Sequence, residues 1–201
     1  MTDTPTDWQA WHGRYADPAS PLSRRLAVVQ ALLADALSAS PPGPIALTSA
    51  CAGEGRDVRG VLATHHRAAD VAAVLVEQDP DLAAVAGAVV GDAGHLSTYR
   101  DVPAADVLML CGVFGNISDE DIRTTIDNAS RLCRPGARVL WTRGRREPDL
   151  TPTIRRWWGD AGWKESSFVT GGPTAQWSVG AAHLTRDPLP YEELPLFTFV
   201  R

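Results

Sequence analysis

An α/β fold built on a doubly wound, mostly parallel sheet is what this sequence predicts, and three observations predict it. Short apolar runs alternate with helix-patterned stretches through the middle of the chain. A glycine pair, Gly53 and Gly55, stands between the first such run and the helix after it, and two strand-like runs joined by GGPT close the series. Alternation at these lengths buries a parallel sheet under helices on both faces.

The elements follow in order. Residues 20–37 open with a capping serine and Pro21 at the first helical position, then place Leu22, Leu26, Val29, Leu33 and Leu37 three and four apart, the spacing of one helix face. The rigid PPGP ends that helix, and residues 45–50 read as a short buried strand. Strands are expected at 71–77, 88–91, 106–111 and 137–141, with helices over 57–64, 80–86 and 119–133 between them. A helix over 153–161 precedes strands at 163–170 and 176–184, whose short separator suits an antiparallel hairpin that closes one sheet edge. The chain thus divides into an N-terminal helical cap or lid, residues 1–40, and a main body, residues 41–201, in one compact unit. The closing PLFTFVR is apolar enough to dock, with its conformation left open.

The 201 residues carry 19 basic and 24 acidic side chains, a formal net charge of −5, and 44% are apolar. A mildly acidic chain is a poor trap for duplex nucleic acid or an anionic membrane, which both need a concentrated positive face. Neither is expected as a partner. Lys164 is the only lysine, so the cationic side chains are otherwise arginines. Cys51, Cys111 and Cys133 lie far apart with no C-x-x-C pair, and His65, His66, His95 and His183 lack ligand spacing, so neither disulfides nor metal are expected. With no basic, apolar leader and no apolar run of about 18 residues, the expected location is the cytoplasm, as a monomer or homodimer.

The first strand-to-helix junction reads SACAGEGRDV, and the ends of strands at such junctions are where open α/β sheets bind ligands. Glu54 and Asp57 would repel a pyrophosphate there, whereas a cofactor bearing a sulfonium and an ammonium would find them helpful. Glu77 ends the next strand, about 20 residues beyond the glycines, the spacing at which an acid meets ribose hydroxyls, and its two oxygens suit a vicinal diol. Asp92 ends the third strand and could accept from the amine of a base. After the fourth, Cys111, Gly112 and Val113 form a tight turn, with Phe114 available for flat contact.

The ordered series SACAGEG, VEQDPDLAAVA, GDAGHL, ADVLMLCGVFGNISDED and LCRPGARVLW, over about residues 45–170, resembles the successive motifs of class I S-adenosylmethionine-dependent methyltransferases. W-x-x-W-H near the start and WTRGR after the fifth strand also look like a bacterial group among them. The resemblance implies a Rossmann-like seven-stranded sheet with a reversed final strand. It also implies S-adenosylmethionine as cofactor: Ala52, Gly53 and Gly55 at its methionyl part, Glu77 at the ribose, Asp92 at the adenine and Cys111 near the sulfonium. Asp57, Gln78, Ala93, Gly112 and Val113 complete that set. The chain departs from the family where an acid usually precedes the glycines, since Thr48, Ser49 and Ala50 stand there, and Cys51 replaces the first glycine of the loop.

For the substrate, Trp8, Trp11, His12 and Tyr15 fall on one face of a short helix. That face either docks on the core or forms a lid over the cofactor's methyl. Asn116 follows the fourth strand, where it contacts substrate or caps a turn, and Arg143 and Arg145 follow the fifth, where they meet an anionic small substrate or simply stay solvated. The expected activity is methyl transfer to an O, N or C atom of a small molecule by in-line displacement, with His12 as the base if the acceptor must lose a proton early. The alternatives are another use of the sulfonium and a non-catalytic cofactor-binding subunit.

Overall fold

Ser20 starts helix α1 (Pro21–Ser38) by accepting from the Ser23 amide at 3.1 Å, and Pro21 occupies the first turn where no amide is needed. In the computed structural model, which describes residues 15, 17–172 and 175–200, Val29, Leu33, Ala36 and Leu37 of this helix are buried. The chain continues through β1 (Ile45–Ala50), α2 (Arg56–Leu62), β2 (Val71–Glu77), α3 (Pro80–Ala86), β3 (Val89–Val90) and β4 (Ala105–Leu110). It closes with α4 (Asp119–Asn128), β5 (Cys133–Gly144), α5 (Thr151–Asp160), β6 (Trp163–Thr170) and β7 (Trp177–Leu184).

Among the described residues these strands form one sheet of seven in the order β3-β2-β1-β4-β5-β7-β6. Strands β1 to β5 are parallel, while β7 runs antiparallel to both β5 and β6, so the expected hairpin and reversed last strand are present. Strand order reverses between β1 and β4, which opens a crevice beyond their carboxyl ends. Alternate residues of each strand face opposite layers. Val107 and Met109 join Leu33, Leu37, Leu47 and Val58 under α1 and α2, and Leu108 and Leu110 join Val139, Trp141, Ile122 and Ile154 under α4 and α5.

Helix α1 is therefore an integral layer of the core. Close packing also explains Gly180 on β7: a Cβ there would come within 2.2 Å of the buried Trp141 ring on the paired strand. The expected helix over 119–133 ends earlier, at Asn128, with a 3-10 turn at Ala129–Leu132, and β5 begins four residues before its expected start.

The final segment docks as extended chain with two isolated bridges, His95 with Pro195 and Ile117 with Phe199. Its Leu196 and Phe197 are 2% and 5% exposed. The Leu196 amide donates to Gly94 O at 2.7 Å and the Val200 amide to Asn116 O at 2.9 Å, so the tail runs from the loop after β3 to the loop after β4. No helix among the described residues is long and apolar enough to cross a membrane.

Candidate functional site

A cavity of about 880 Å³ opens at the carboxyl ends of β1, β2, β4 and β5. That is near the upper end of the roughly 300–1,000 Å³ typical of small-molecule sites. Glu77 at the end of β2 and Arg143 near the end of β5 both line it, and the three strand spacings between them amount to about 14 Å.

The glycine loop shapes one wall. Ala52 donates to Val76 O at 3.0 Å, Gly55 to Ala52 O at 2.8 Å, and both Gly53 (φ 55°) and Gly55 (φ 64°) turn left-handed. Cys51 also sits at positive φ, 54°, a conformation a side chain resists. Gly55 itself does not line the cavity. A Cβ on it would meet Leu75 Cδ2 at 2.8 Å, so its bareness serves the packing of α2 on β2.

Glu77 is held hard. Its Oε2 accepts from Gly53 N at 2.7 Å and its Oε1 from the amides of Gln78 and Asp79 at 2.9 and 3.0 Å. A carboxylate offers about four acceptor positions, so about one remains, on Oε2, and Glu77 alone does not serve both hydroxyls of a diol. Gln78, beside it, also lines the cavity. Asp92 does not: its Oδ1 accepts from Gly94 N at 2.8 Å, and it is the adjoining Ala93 that reaches the wall.

The floor between β4 and β5 is Cys111 and Gly112. Gly112 N donates to Thr142 Oγ1 at 2.8 Å, and Asn116 Nδ2 to Gly112 O at 2.7 Å, so the turn is tied to β5 from one side and to its own loop from the other. A Cβ at Gly112 or Gly115 would touch nothing within 4 Å. Burial pushes the thiols of Cys51 and Cys111 far above their usual range, with Glu77 and Asp92 adding to it at Cys51 and Asp57 at Cys111. Neither is a ready nucleophile.

Val113 and Phe114 depart from expectation. Both are 0% exposed, and Phe114 packs against Trp141 and Trp158 with ring centroids 6.0 and 6.3 Å away. The turn at Gly112 sends the chain back into the core, so these two support the floor from beneath. Arg145 also leaves the site, because its Nε donates to Asp149 Oδ2 at 3.0 Å. Its neighbour Arg146 lines the cavity instead. Trp8, Trp11 and His12 lie outside the described residues.

Tyr15 does line the cavity, beside Arg25 and Leu26 of α1. Arg25 hydrogen-bonds the phenol, and the Arg56 guanidinium lies over the ring at 5.2 Å from its centroid. Asp57 is next to this group. Burial raises its carboxyl above the usual aspartate range, although the Val58 amide and the Arg25 charge pull it back. Burial likewise raises the Tyr15 phenol. Arg25, Leu26, Thr142, Gln176, Phe199 and Val200 were not legible as site residues, and only the apolar tail carried any signal. No group of three His, Cys, Asp or Glu side chains among the described residues is placed to hold a metal.

No protein-family model matches the chain, and no curated protein matches it in sequence. Solved structures do. The magnesium protoporphyrin IX methyltransferase of Synechocystis, with S-adenosylmethionine bound, superposes with a TM-score of 0.65 at 15% identity over 90% of this chain and 92% of its own. The 1,6-didemethyltoxoflavin-N1-methyltransferase of Burkholderia thailandensis, holding its substrate and S-adenosylhomocysteine, gives 0.63 at 16% over 92% and 94%. An O-methyltransferase family protein of the same organism gives 0.63 at 16% identity over 81% of this chain, which spans only 55% of that protein's length. Sheet order, the reversed β7 and these superpositions agree: the chain has the fold of the class I S-adenosylmethionine-dependent methyltransferases.

Proposed function

We propose that this protein transfers a methyl group from S-adenosylmethionine to a small molecule. The observation that carries this reading is one cavity with two chemically distinct ends, Glu77 with the glycine loop at one and Arg143 with the tail at the other. The residues at the first end fit the cofactor. Glu77, immobilised by three amides, keeps one strong acceptor for a ribose hydroxyl. The bare surface at Gly112 admits close approach, and Asp57 supplies the negative charge that Thr48, Ser49 and Ala50, all buried in β1, do not.

Bound S-adenosylmethionine supplies an activated methyl group. The protein's contribution is to hold donor and acceptor in line and to exclude water. Tyr15 and α1 cover one side, and Cys111, kept as a neutral thiol by burial, presents a small, weakly polar surface. Of the proposed N-terminal cap, residues 1–40, α1 is packed into the core and walls the cavity from there, with Tyr15 beside it; His12 is the proposed base for an acceptor that must lose a proton.

Calorimetry with S-adenosylmethionine, followed by assay of S-adenosylhomocysteine release on incubation with cell metabolites, tests the reading. Binding with release supports it. Binding without release under any condition favours a cofactor-binding subunit, and no binding removes the reading altogether.

Asp57 gives a pH test. Its folded-state carboxyl is raised, so it takes up a proton at a higher pH than an ordinary aspartate, and the protonated form no longer attracts a cation. Affinity for S-adenosylmethionine should therefore fall as pH drops through that raised value. Asp57→Asn should bind like the protonated wild type, roughly three- to tenfold more weakly at neutral pH, about 1 kcal/mol, and without this pH dependence. An Asp57→Asn protein with the wild-type profile would exclude the role.

A further inference from the structure

The last residues of β1, Thr48, Ser49 and Ala50, are buried and carry no charge, so the charged groups beside the glycine loop come from the helices that flank it. Asp57 lies in the first turn of α2, where its Oδ1 accepts from the Val58 amide at 2.8 Å. Arg25 lies in the second turn of α1. Both line the cavity, and they face each other across it: the Arg25 charge draws the Asp57 carboxyl and the Cys111 thiol back from the values to which burial raises them. The other acids on this side are engaged elsewhere. Glu54 pairs with Arg56, Glu77 accepts from three amides, and Asp79 caps α3 through the amides of Asp81 and Leu82.

Tyr15 ties the two helices together. The Arg56 guanidinium lies over its ring, 5.2 Å from the centroid, and its hydroxyl accepts from Arg25. An accepting phenol keeps its own proton to give, and burial holds Tyr15 in that protonated form. A guanidinium carries five N–H donors in a planar fork, enough to hold a phenol and a carboxylate together. One corner of the cavity, between the glycine loop and Cys111, thus presents a cation, a hydroxyl donor and an anion.

Resting on the S-adenosylmethionine reading above, we propose that Arg25 and the Tyr15 hydroxyl together hold the carboxylate of the cofactor's methionyl group, with Asp57 at its ammonium, so that Tyr15 serves the cofactor and not the substrate. An α-amino acid group carries its two charges on one carbon, and opposite charges set side by side on α1 and α2 match it, with charge-assisted hydrogen bonds at the carboxylate. The consequence is selection by the amino-acid end. An adenosine thioether without that end forfeits both contacts, and a decarboxylated one forfeits those to Arg25 and Tyr15.

The test is calorimetry on the full chain with S-adenosylhomocysteine, with its decarboxylated analogue, which keeps the ammonium, and with 5′-methylthioadenosine, which has neither charge. The wild type should bind S-adenosylhomocysteine roughly tenfold or more tightly than the decarboxylated analogue. Arg25→Met should bring S-adenosylhomocysteine down to the level of that analogue while 5′-methylthioadenosine binds as before. Tyr15→Phe, which keeps the ring against Arg56, should lose about three- to tenfold of the same preference. Arg24→Met, an exposed neighbour on the same helix that does not line the cavity, should bind all three ligands as the wild type does. The proposal is overturned if the wild type binds S-adenosylhomocysteine and its decarboxylated analogue equally, if Arg25→Met or Tyr15→Phe retains the full preference, or if Arg25→Met loses 5′-methylthioadenosine in step with S-adenosylhomocysteine, as a purely structural role would require. Failure of all three ligands to bind the wild type is a different result, which removes the cofactor reading itself.

Discussion

Glu77→Ala is expected to lose at least a hundredfold in S-adenosylmethionine affinity, about 2.7 kcal/mol or more, and also to lower folding stability by about 2 kcal/mol. The two losses have one origin. The carboxylate accepts from Gly53 on the glycine loop and from Gln78 and Asp79 on the β2–α3 turn, so it joins the two backbone segments that frame the cofactor end. Hydrogen bonds to a charged acceptor contribute about 1.5–3 kcal/mol each, but Glu77 is only half-buried and the released amides partly recover by binding water, so the sum is discounted. Glu77→Gln separates charge from shape. An amide has one accepting oxygen, so either Gly53 N–H or the Gln78 and Asp79 pair must face an NH2 group. It should therefore bind much less well than the wild type despite its similar size, with a smaller shift in the urea midpoint than alanine causes. Calorimetry and urea titration read the two effects, and wild-type cofactor affinity in Glu77→Gln would show that the carboxylate does not hold the ribose.

The parts of the fold legible in the sequence are those specified locally. β1, β2, α3 and β6 begin and end where the apolar runs and caps place them, because Asp79, Pro80 and Gly87 act on their own neighbours. β5 is longer than its apolar stretch, since pairing of Cys133 with Ala105 and of Arg143 and Gly144 with β7 extends it at both ends, and that pairing is tertiary. In the site, Glu77 was legible from its strand end and spacing. Phe114 was not, because an apolar residue after a turn has the same composition whether it faces a ligand or the core. Arg145 and Arg146 exchanged roles for a similar reason: Arg145 shares strand parity with Arg143, but β5 ends at Gly144, and Asp149 then sets the direction. The contribution of the tail depends on Gly94 and Asn116, far earlier in the chain, and no local pattern encodes such a contact.

That long-range contact makes Gly94→Ala the second large expected effect. A Cβ at Gly94 would lie 2.2 Å from Phe197 O. The obstacle is a backbone atom, so no rotamer change relieves it. The tail must lift, losing the Leu196 and Phe197 amide bonds to Gly94 O at 2.7 and 3.2 Å and the Thr125 Oγ1 bond to Leu196 O at 3.1 Å. Leu196 and Phe197 would leave the core cluster in which they are 2% and 5% exposed, and full exposure of such side chains costs about 1.5–3 kcal/mol each. The expected destabilisation is about 3–5 kcal/mol, read as a lowered urea midpoint. Function should follow the geometry. Phe199 and Val200 line the β5 end and Glu77 lies about three strands away, so methyl transfer to cell metabolites from saturating S-adenosylmethionine should weaken more than binding of S-adenosylhomocysteine. Should Gly94→Ala fail to fold, Phe199→Ala carries the same comparison without disturbing the Gly94 contact. Wild-type stability in Gly94→Ala would mean that the tail is not held there, and equal losses of methyl transfer and of S-adenosylhomocysteine binding in Phe199→Ala would mean that it does not wall the substrate end.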